Sequence, residues 1–243
     1  MLNTPICEML GIKYPVFQGG MAHISDAELA AAVSNGGGLG IITAASGNID
    51  YISEQIDKCR TLTDKPFGVN VMLRGQNIEA IAALLAEKKV AVVTTGAGNP
   101  DKYIKQWKKA GIKVIPVVAS SSLAKLAARA GADAVIAEGG ESGGHVGDLT
   151  TMALVPQVCD AVNIPVIAAG GIADGRGLAA AFMLGAQGIQ VGTRFLSAVE
   201  CNISRIYKEK VLKANDTSTI VTGKRLGHPV RSLKSPFSRA YAK

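Results

Sequence analysis

The sequence lacks any hydrophobic run long enough to cross a bilayer. A transmembrane helix needs about 20 consecutive apolar residues, whereas the apolar runs here stop much earlier, at glycine-rich turns or charged residues. Residues 1–17 also lack the basic, apolar and small-residue regions of a secretory signal peptide. We therefore expect a cytoplasmic protein with no membrane partner.

Cysteine is scarce and scattered along the chain. The cysteines form no C-x-x-C pair, which argues against both a zinc site and a disulfide framework. We accordingly predict no metal-binding cluster. The four cysteines are Cys7, Cys59, Cys159 and Cys201.

Aromatic residues are few, at 5%, and positive charge is confined to one end. The chain has 26 Lys and Arg against 19 Asp and Glu, a net charge of +7. Residues 1–199 hold 16 basic and 16 acidic side chains, whereas residues 200–243 hold 10 basic and 3 acidic. The basic segment has only three aromatic residues, too few for the stacking groove of a single-strand binder. We expect no nucleic-acid partner.

Eight short runs rich in Val and Ile are each followed by a helical pattern. The runs are nearly continuously apolar, which is typical of parallel strands buried on both faces. Eight alternations within residues 1–199 predict an α/β fold, a TIM (β/α)8 barrel, with an open doubly wound sheet as the alternative. The runs cover residues 15–20, 38–43, 66–72, 90–96, 113–119, 134–139, 165–171 and 188–195.

Amphipathic stretches between these runs predict helices, and residues 200–243 break the alternation. Ser25, Asn77 and Asp174 are plausible N-caps of helices over 25–35, 77–89 and 174–186. We predict a barrel domain over residues 1–199. Residues 200–243 would then form a basic helical and loop segment, part of a lid subdomain.

Glycines follow the predicted strand ends, which in a barrel share the face that carries the active site. Gly170, Gly171 and Gly192 would let a phosphate approach backbone N–H groups, and Thr193 adds a hydroxyl donor. Tight turns are an equally good explanation of such glycines. Their position after the last two predicted strands favours the phosphate site.

The loop over residues 137–152 carries the strongest candidate for chemistry. His145 stands among glycines near Glu138 and Glu141, in a run too rich in glycine to be a helix. A lone histidine is more often structural, but its place on the predicted catalytic face favours a catalytic role. His23, which follows the first strand, is a weaker candidate on the same face.

Asn70, at the end of the third predicted strand, offers donors and an acceptor that suit the edge of a heterocycle. The backbone of Gly20 and Met21 could serve the same ring. The alternative is that Asn70 caps a turn.

An ordered set of motifs resembles the flavin-dependent enoyl-acyl-carrier-protein reductases of type II, which are FMN enzymes on a TIM barrel related to the nitronate monooxygenases. The resemblance runs along nearly the whole chain. The motifs are FQGGMA (17–22), GGLGII (37–42), DKPFGVNVML (64–73), VVTTGAGNP (92–100), KVIPVV (113–118), AVIAEG (134–139), GGHVGDLTTM (143–152), PVIAAGGIADG (165–175), VGTRF (191–195) and GHPVRSLKS (227–235).

The resemblance implies an FMN site, a reaction and its partners. NADH or NADPH would be the reductant, an enoyl-acyl carrier protein or enoyl-CoA the substrate, and His145 the active-site histidine. A homodimer and a monovalent cation as a further cofactor are also implied. The residues that would contact FMN are Gly20, Met21, Asn70, Glu138, Gly143, Gly144, Gly171, Gly192 and Thr193, with Gly170 added from the phosphate argument above.

Two other functions are open on the same sequence. The first is a nitronate monooxygenase that oxidises alkyl nitronates with FMN and O2, and the second is a truncated flavin-binding barrel without turnover. For the reductase, we expect basic residues of the segment 200–243, here called the tail, to steer an acidic acyl carrier protein. These residues are Lys208, Lys210, Lys213, Lys224, Arg225 and Arg231.

Overall fold

The computed structural model describes residues 3–242, in which eight parallel strands form one continuous sheet. The order β1-β9-β8-β6-β5-β4-β3-β2 follows the chain around the sheet, so each strand lies beside its neighbours in sequence. The eight predicted strands are confirmed. They are β1 Val16–Gln18, β2 Gly40–Thr43, β3 Phe67–Met72, β4 Val92–Gly96, β5 Lys113–Val118, β6 Val135–Glu138, β8 Val166–Ala169 and β9 Gly188–Val191.

Contacts between β1 and β2 bring the two ends of the sheet together. Phe17 and Leu39 form an isolated parallel bridge, and the Gln18 N–H donates to the Leu39 carbonyl at 3.0 Å. The buried Gln18 side chain completes the junction, since its Oε1 accepts the Ile41 N–H at 3.0 Å. The TIM barrel prediction is thus confirmed, and the open doubly wound sheet is not the fold of this chain.

Alternate strand residues fill the barrel interior because successive side chains of a strand point to opposite faces. Phe17, Ile41, Ile115 and Ile136 belong to one buried cluster. Helix α1, Pro5–Leu10, lies against that cluster through apolar side chains and closes the end opposite the strand carboxyl termini. The interior is a packed core, which leaves the carboxyl ends of the strands as the place for a site.

Seven helices pack outside the strands and bury one face each. In α5 the buried residues Tyr103, Ile104 and Trp107 follow the 3.6-residue period, and the Trp107 indole donates to the Ala82 carbonyl of α4 at 3.1 Å. The seven are α2 Ala27–Asn35, α3 Ile49–Leu62, α4 Ile78–Lys88, α5 Asp101–Lys109, α6 Ser121–Ala130, α7 Thr151–Ala161 and α8 Gly175–Met183.

One of the three predicted N-caps is wrong, and a second holds the N-cap position without a side-chain bond. Asp26, not Ser25, caps α2 by accepting the Leu29 N–H at 3.0 Å, because the Ser25 hydroxyl is engaged by the Met21 N–H at 2.8 Å. Asn77 makes no capping bond, since its left-handed backbone turns its amide towards the Gly47 carbonyl. Asp174 caps α8 as predicted.

Residues after β9 form a separate set of short elements. The 3-10 helix Thr193–Ser197 leads to α9 Arg205–Leu212. Strands β10 Thr219–Thr222 and β11 Val230–Leu233 pair antiparallel, and α10 Pro236–Tyr241 follows. Strand β11 also pairs with β7, Gly144–His145, in the loop after β6. The tail and this loop therefore share a three-stranded sheet.

Within the part of the chain that the structure describes, no helix has both the length and the apolar character needed to cross a membrane.

Candidate active site

Polar side chains occupy the inward-facing positions at the carboxyl ends of the strands. Asn70 and Thr94 lie opposite each other on β3 and β4, and the Asn70 Nδ2 donates to Thr94 Oγ1 at 2.9 Å. Glu138 follows the interior residue Ile136 by two positions and so shares its face. Asn70 therefore bonds across the sheet at the barrel mouth instead of capping a turn.

The loop after β1 lies directly over these residues. A Cβ added to Gly20 would come within 2.8 Å of Asn70 Cγ, and one added to Gly19 would lie 3.4 Å from Gln190 Cγ. The Ser25 hydroxyl holds the loop in place, since its oxygen accepts hydrogen bonds from the Met21 N–H and from the Gln18 side-chain amide, both at 2.8 Å. Only glycine fits at position 20.

Further contacts connect this loop to the loops after β9 and β6. Gly192 faces the Met21 side chain, and a Cβ added to Gly192 would lie 3.8 Å from the Met21 sulfur. A Cβ added to Gly143 would lie 3.5 Å from Thr193 Oγ1. The structure thus brings together most of the sequence-predicted residues. The contiguous set is Asn70, Gly20, Met21, Gly192, Thr193, Gly143, Gly144 and His145.

Gly170 and Gly171 belong to a second group beside the first turn of α7. Both have positive φ, at 100° and 70°, which is a conformation that favours glycine. The Thr151 hydroxyl donates to the Gly170 carbonyl at 2.9 Å, and Glu141 accepts from the Thr151 N–H at 2.9 Å. A Cβ on Gly171 would lie 3.1 Å from the Cβ of Glu141. The Glu141 carboxylate therefore already occupies the N-terminus of α7.

Glu138 is the candidate residue whose acidity the fold changes most. Burial at the barrel mouth raises the pKa of Glu138 to about 7, and the neighbouring Ser142 hydroxyl opposes part of that rise. A carboxyl group with this pKa is partly protonated at neutral pH. It can therefore act as a hydrogen-bond donor or acceptor towards a bound ring.

His145 lies on the exposed strand β7, where its backbone pairs with Val230 of the tail. The Val146 N–H donates to the Pro229 carbonyl at 3.1 Å, which continues the pairing. The tail, and not the barrel, therefore sets the position of the histidine backbone. His23 is exposed in the turn between Met21 and Ser25, with a φ of 60°.

Two basic residues expected to steer a partner are instead engaged within the chain. The Arg231 guanidinium is half-buried and donates to the Gly140 carbonyl and to Thr219 Oγ1, both at 3.0 Å. Lys208 Nζ donates to the Ala198 carbonyl at 2.6 Å. Both side chains keep their positive charge while donating to backbone and hydroxyl oxygens of the protein itself, and steering by these residues stays a prediction.

Sequence reasoning missed Gln190 and Thr151. Gln190 is a buried polar residue within the apolar run of β9, and its neighbours Ile189 and Val191 pack on the outer face of the strand. A polar residue alternating with apolar ones was the available signal. Thr151 gave no such signal, since its role depends on Gly170, nineteen positions along the chain.

The barrel mouth fits a flat, hydrogen-bonding cofactor with a phosphate. The Gly20, Gly143 and Gly192 positions keep backbone free of side-chain bulk, and Asn70, Glu138 and Thr193 supply donors and acceptors around them. These chemical groups are the ones that an isoalloxazine ring and its phosphate require. Among residues 3–242, no group of three or more His, Cys, Asp or Glu side chains is arranged to hold a metal ion.

The family model for nitronate monooxygenase matches residues 3–83 and 74–242 of the chain. Among curated proteins, a Mycobacterium tuberculosis protein named (3aS,4S,5R,7aS)-5-hydroxy-7a-methyl-1-oxo-octahydro-1H-indene-4-carboxyl-CoA dehydrogenase is 41% identical over 237 residues, which is 96% of this chain and 67% of that protein. A probable nitronate monooxygenase of Staphylococcus saprophyticus is 36% identical over 97% of this chain and 80% of its own length.

Among solved structures, that of FabK from Thermotoga maritima superimposes with a TM-score of 0.98 at 54% identity. The superposition covers 99% of this chain and 77% of the FabK chain.

Proposed function

Because the chain belongs to the nitronate monooxygenase family, whose members depend on FMN, we propose that it is an FMN-dependent enoyl-thioester reductase that uses NADH or NADPH. The likeness to FabK, an enoyl-acyl-carrier-protein reductase of type II, carries the proposal. At 54% identity across nearly the whole chain, it exceeds the 36% identity to a probable nitronate monooxygenase.

A thioester is the substrate class that two of the relatives share. The mycobacterial relative acts, by its name, on a carboxyl-CoA compound, and FabK acts on an acyl-carrier-protein thioester. We assign the chain a trans-2-enoyl thioester of acyl carrier protein or coenzyme A. The reaction adds a hydride to the β-carbon and a proton to the α-carbon, and it releases NAD(P)⁺.

The FMN-contacting residues are assigned from the family resemblance, and contacts around the barrel mouth support part of that assignment. When bound, FMN supplies the hydride chemistry that links NADH or NADPH to the enoyl double bond. The glycines around the mouth would leave room for the ring, and the polar side chains there would supply donors and acceptors to it. The residues assigned to hold it are Gly20, Met21, Asn70, Glu138, Gly143, Gly144, Gly170, Gly171, Gly192 and Thr193.

His145 is the assigned catalytic residue. Its side chain is exposed on the loop that also carries Glu138 and Gly143, which supports a role towards a substrate that enters from solvent. Its role is to donate a hydrogen bond to the thioester carbonyl or a proton to the α-carbon. A homodimer and a dependence on a monovalent cation remain predictions.

The direct test uses purified protein loaded with FMN. We expect a flavin absorbance spectrum and rapid NADH or NADPH consumption when a crotonyl thioester is added. A protein that binds no flavin would contradict the proposal. Bound flavin with no turnover on any enoyl thioester or nitronate would instead support a flavin-binding barrel without activity.

Nitronate oxidation is the second candidate function. The match of the nitronate monooxygenase model to residues 3–83 and 74–242 favours it, as does the staphylococcal relative. This reaction needs no NADH or NADPH. Oxygen uptake with an alkyl nitronate alone, combined with no consumption of NAD(P)H on enoyl thioesters, would establish it in place of the reductase.

A further inference from the structure

The loop with His145 is attached to the C-terminal hairpin by backbone pairing. Gly144 and His145 pair with Arg231 and Val230, and these residues are separated by more than eighty positions in sequence. The pairing involves only two residues on the β7 side. So short a strand is not stable by itself, and further contacts hold the loop against the hairpin. The Val146 N–H donates to the Pro229 carbonyl at 3.1 Å, and Lys224 Nζ lies 3.5 Å from the Asp148 carboxylate.

The Arg231 side chain adds two hydrogen bonds to this attachment. Its Nη2 donates to the Gly140 carbonyl at 3.0 Å, and its Nη1 donates to Thr219 Oγ1 of β10 at 3.0 Å. The two acceptors lie on different parts of the chain, one in the catalytic loop and one in the hairpin. The planar guanidinium therefore bridges the loop and the hairpin with a fixed geometry.

No carboxylate forms an ion pair with Arg231 anywhere in the described residues, although the guanidinium is half-buried. Its Nε is shielded from solvent and also has no hydrogen-bond partner within residues 3–242. Shielding a cation from water without a counterion costs free energy. A neutral side chain could make a purely stabilising contact with a smaller loss of solvation free energy. An arginine at this position therefore favours a role that depends on two donors in a fixed geometry.

Gly140 is the point at which this bridge acts on the loop. Its N–H donates to the Leu149 carbonyl at 2.8 Å while its carbonyl accepts from Arg231. Its neighbour Glu141 is bound to Thr151 at the start of α7. The peptide between Glu138 and Gly143 is thus held from the barrel side by Thr151 and from the tail side by Arg231.

We propose that Arg231 is a positioning residue, which fixes the Gly140 carbonyl and so holds the Glu138–His145 loop over the barrel mouth. Its effect on turnover rests on the function proposed above, whereas its effect on the loop does not. Lysine cannot replace it, because an ammonium group lacks the fork that reaches two separate acceptors.

The test compares Arg231→Met, Arg231→Lys and Thr219→Val with Arg239→Met. Arg239 is an exposed arginine of the same tail and serves as the matched control. Backbone amide hydrogen exchange is measured on the FMN-free protein. We expect about a tenfold faster exchange at residues 140–146 in Arg231→Met, a similar increase in Arg231→Lys, and unchanged exchange in the strands β3 to β5.

Three outcomes would overturn the proposal. Exchange in the loop could stay at the wild-type rate, exchange could rise equally throughout the barrel, or Arg231→Lys could restore the wild-type rate completely. If Arg231→Met does not fold, the lysine and Thr219→Val variants decide, because unchanged loop exchange in both would refute the bridge.

A second readout separates positioning from general stability. With FMN bound, Arg231→Met should lower kcat for a crotonyl thioester about tenfold while the KM for NADH or NADPH changes less than about twofold. A rise in KM with unchanged kcat would contradict positioning of the catalytic loop. If the wild-type protein turns over no enoyl thioester, the proposed function fails, but the exchange measurement still tests Arg231.

Discussion

Gly20 lies against Asn70 so closely that a Cβ on residue 20 would come within 2.8 Å of Asn70 Cγ. The two residues are fifty positions apart and stand at the ends of β1 and β3. Their contact brings the loop after β1 over the barrel mouth, and it leaves backbone instead of a side chain facing the proposed ring.

Replacing Gly20 with alanine should reduce flavin binding, because the added methyl group must displace Asn70 or the loop. We expect a loss of about 1–3 kcal/mol in the free energy of unfolding and a lower ratio of flavin to protein absorbance. Gly175→Ala is the control, since its Cβ meets open space. A full flavin content in Gly20→Ala would contradict the assigned position of the ring.

The raised pKa of Glu138 predicts a pH dependence of stability. With a folded pKa of about 7 against an ordinary value of 4.5, the native state holds a proton that the unfolded state loses between these values. The free energy of unfolding should therefore fall as pH rises from about 4.5 to 7, by about 3 kcal/mol from this group.

Glu138→Gln provides the measurement, as glutamine does not titrate. Urea unfolding of the FMN-free proteins at pH 5 and pH 8 should show wild type losing more stability than the variant over this interval. Equal losses in the two proteins would mean that burial does not perturb Glu138.

His145→Ala should slow the enoyl half-reaction by about 10²- to 10⁴-fold, which is the usual contribution of a positioned acid or hydrogen-bond donor. Flavin reduction by NADH or NADPH should change much less. Stopped-flow absorbance separates the two steps, and His228→Ala, an exposed histidine of the tail hairpin, is the control. Loss of flavin reduction with an intact enoyl step would assign His145 the opposite role.

Thr151→Val should loosen the junction between α7, Glu141 and the Gly170 carbonyl. The variant loses the one hydroxyl proton that Thr151 can donate, which has the Gly170 carbonyl and the Glu141 carboxylate as acceptors, each 2.9 Å from Oγ1. We expect a decrease of about 1–3 kcal/mol in the free energy of unfolding. Thr150→Val is a close control, since Thr150 precedes it and makes no side-chain capping bond. Equal stability of the two variants would contradict this role.

Charge steering by the tail can be measured at two of its exposed lysines, Lys210 and Lys213. Changing both to glutamate should lower kcat/KM for a carrier-protein substrate at low ionic strength, because the carrier is acidic. The rate with a coenzyme A thioester serves as the internal comparison and should fall less. A carrier-dependent rate that does not vary with salt would rule out steering.

Much of the barrel could be predicted because its signals are local. Runs such as residues 113–119 are β-rich and apolar over their own length, and α5 shows its buried face in its own period. The proximity of Gly20 and Asn70 follows from the rule that parallel strands end on one face. Ser25 was wrongly predicted as the N-cap of α2, because its hydroxyl can either cap the helix or bind the loop after β1. Only the neighbouring residues in the folded chain decide which of these hydrogen bonds forms.

The amino-acid sequence by itself determined the eight strands, the helices between them and the loops in which polar and glycine residues gather, since hydrophobic period and turn chemistry act over a few residues. The tertiary structure alone decided that β1 meets β2 through Gln18, that β11 holds His145, and that Arg231 reaches Gly140. It also decided the acidity of Glu138. Hydrogen bonds and desolvation depend on neighbours that are distant in sequence, and only the folded chain brings those neighbours together.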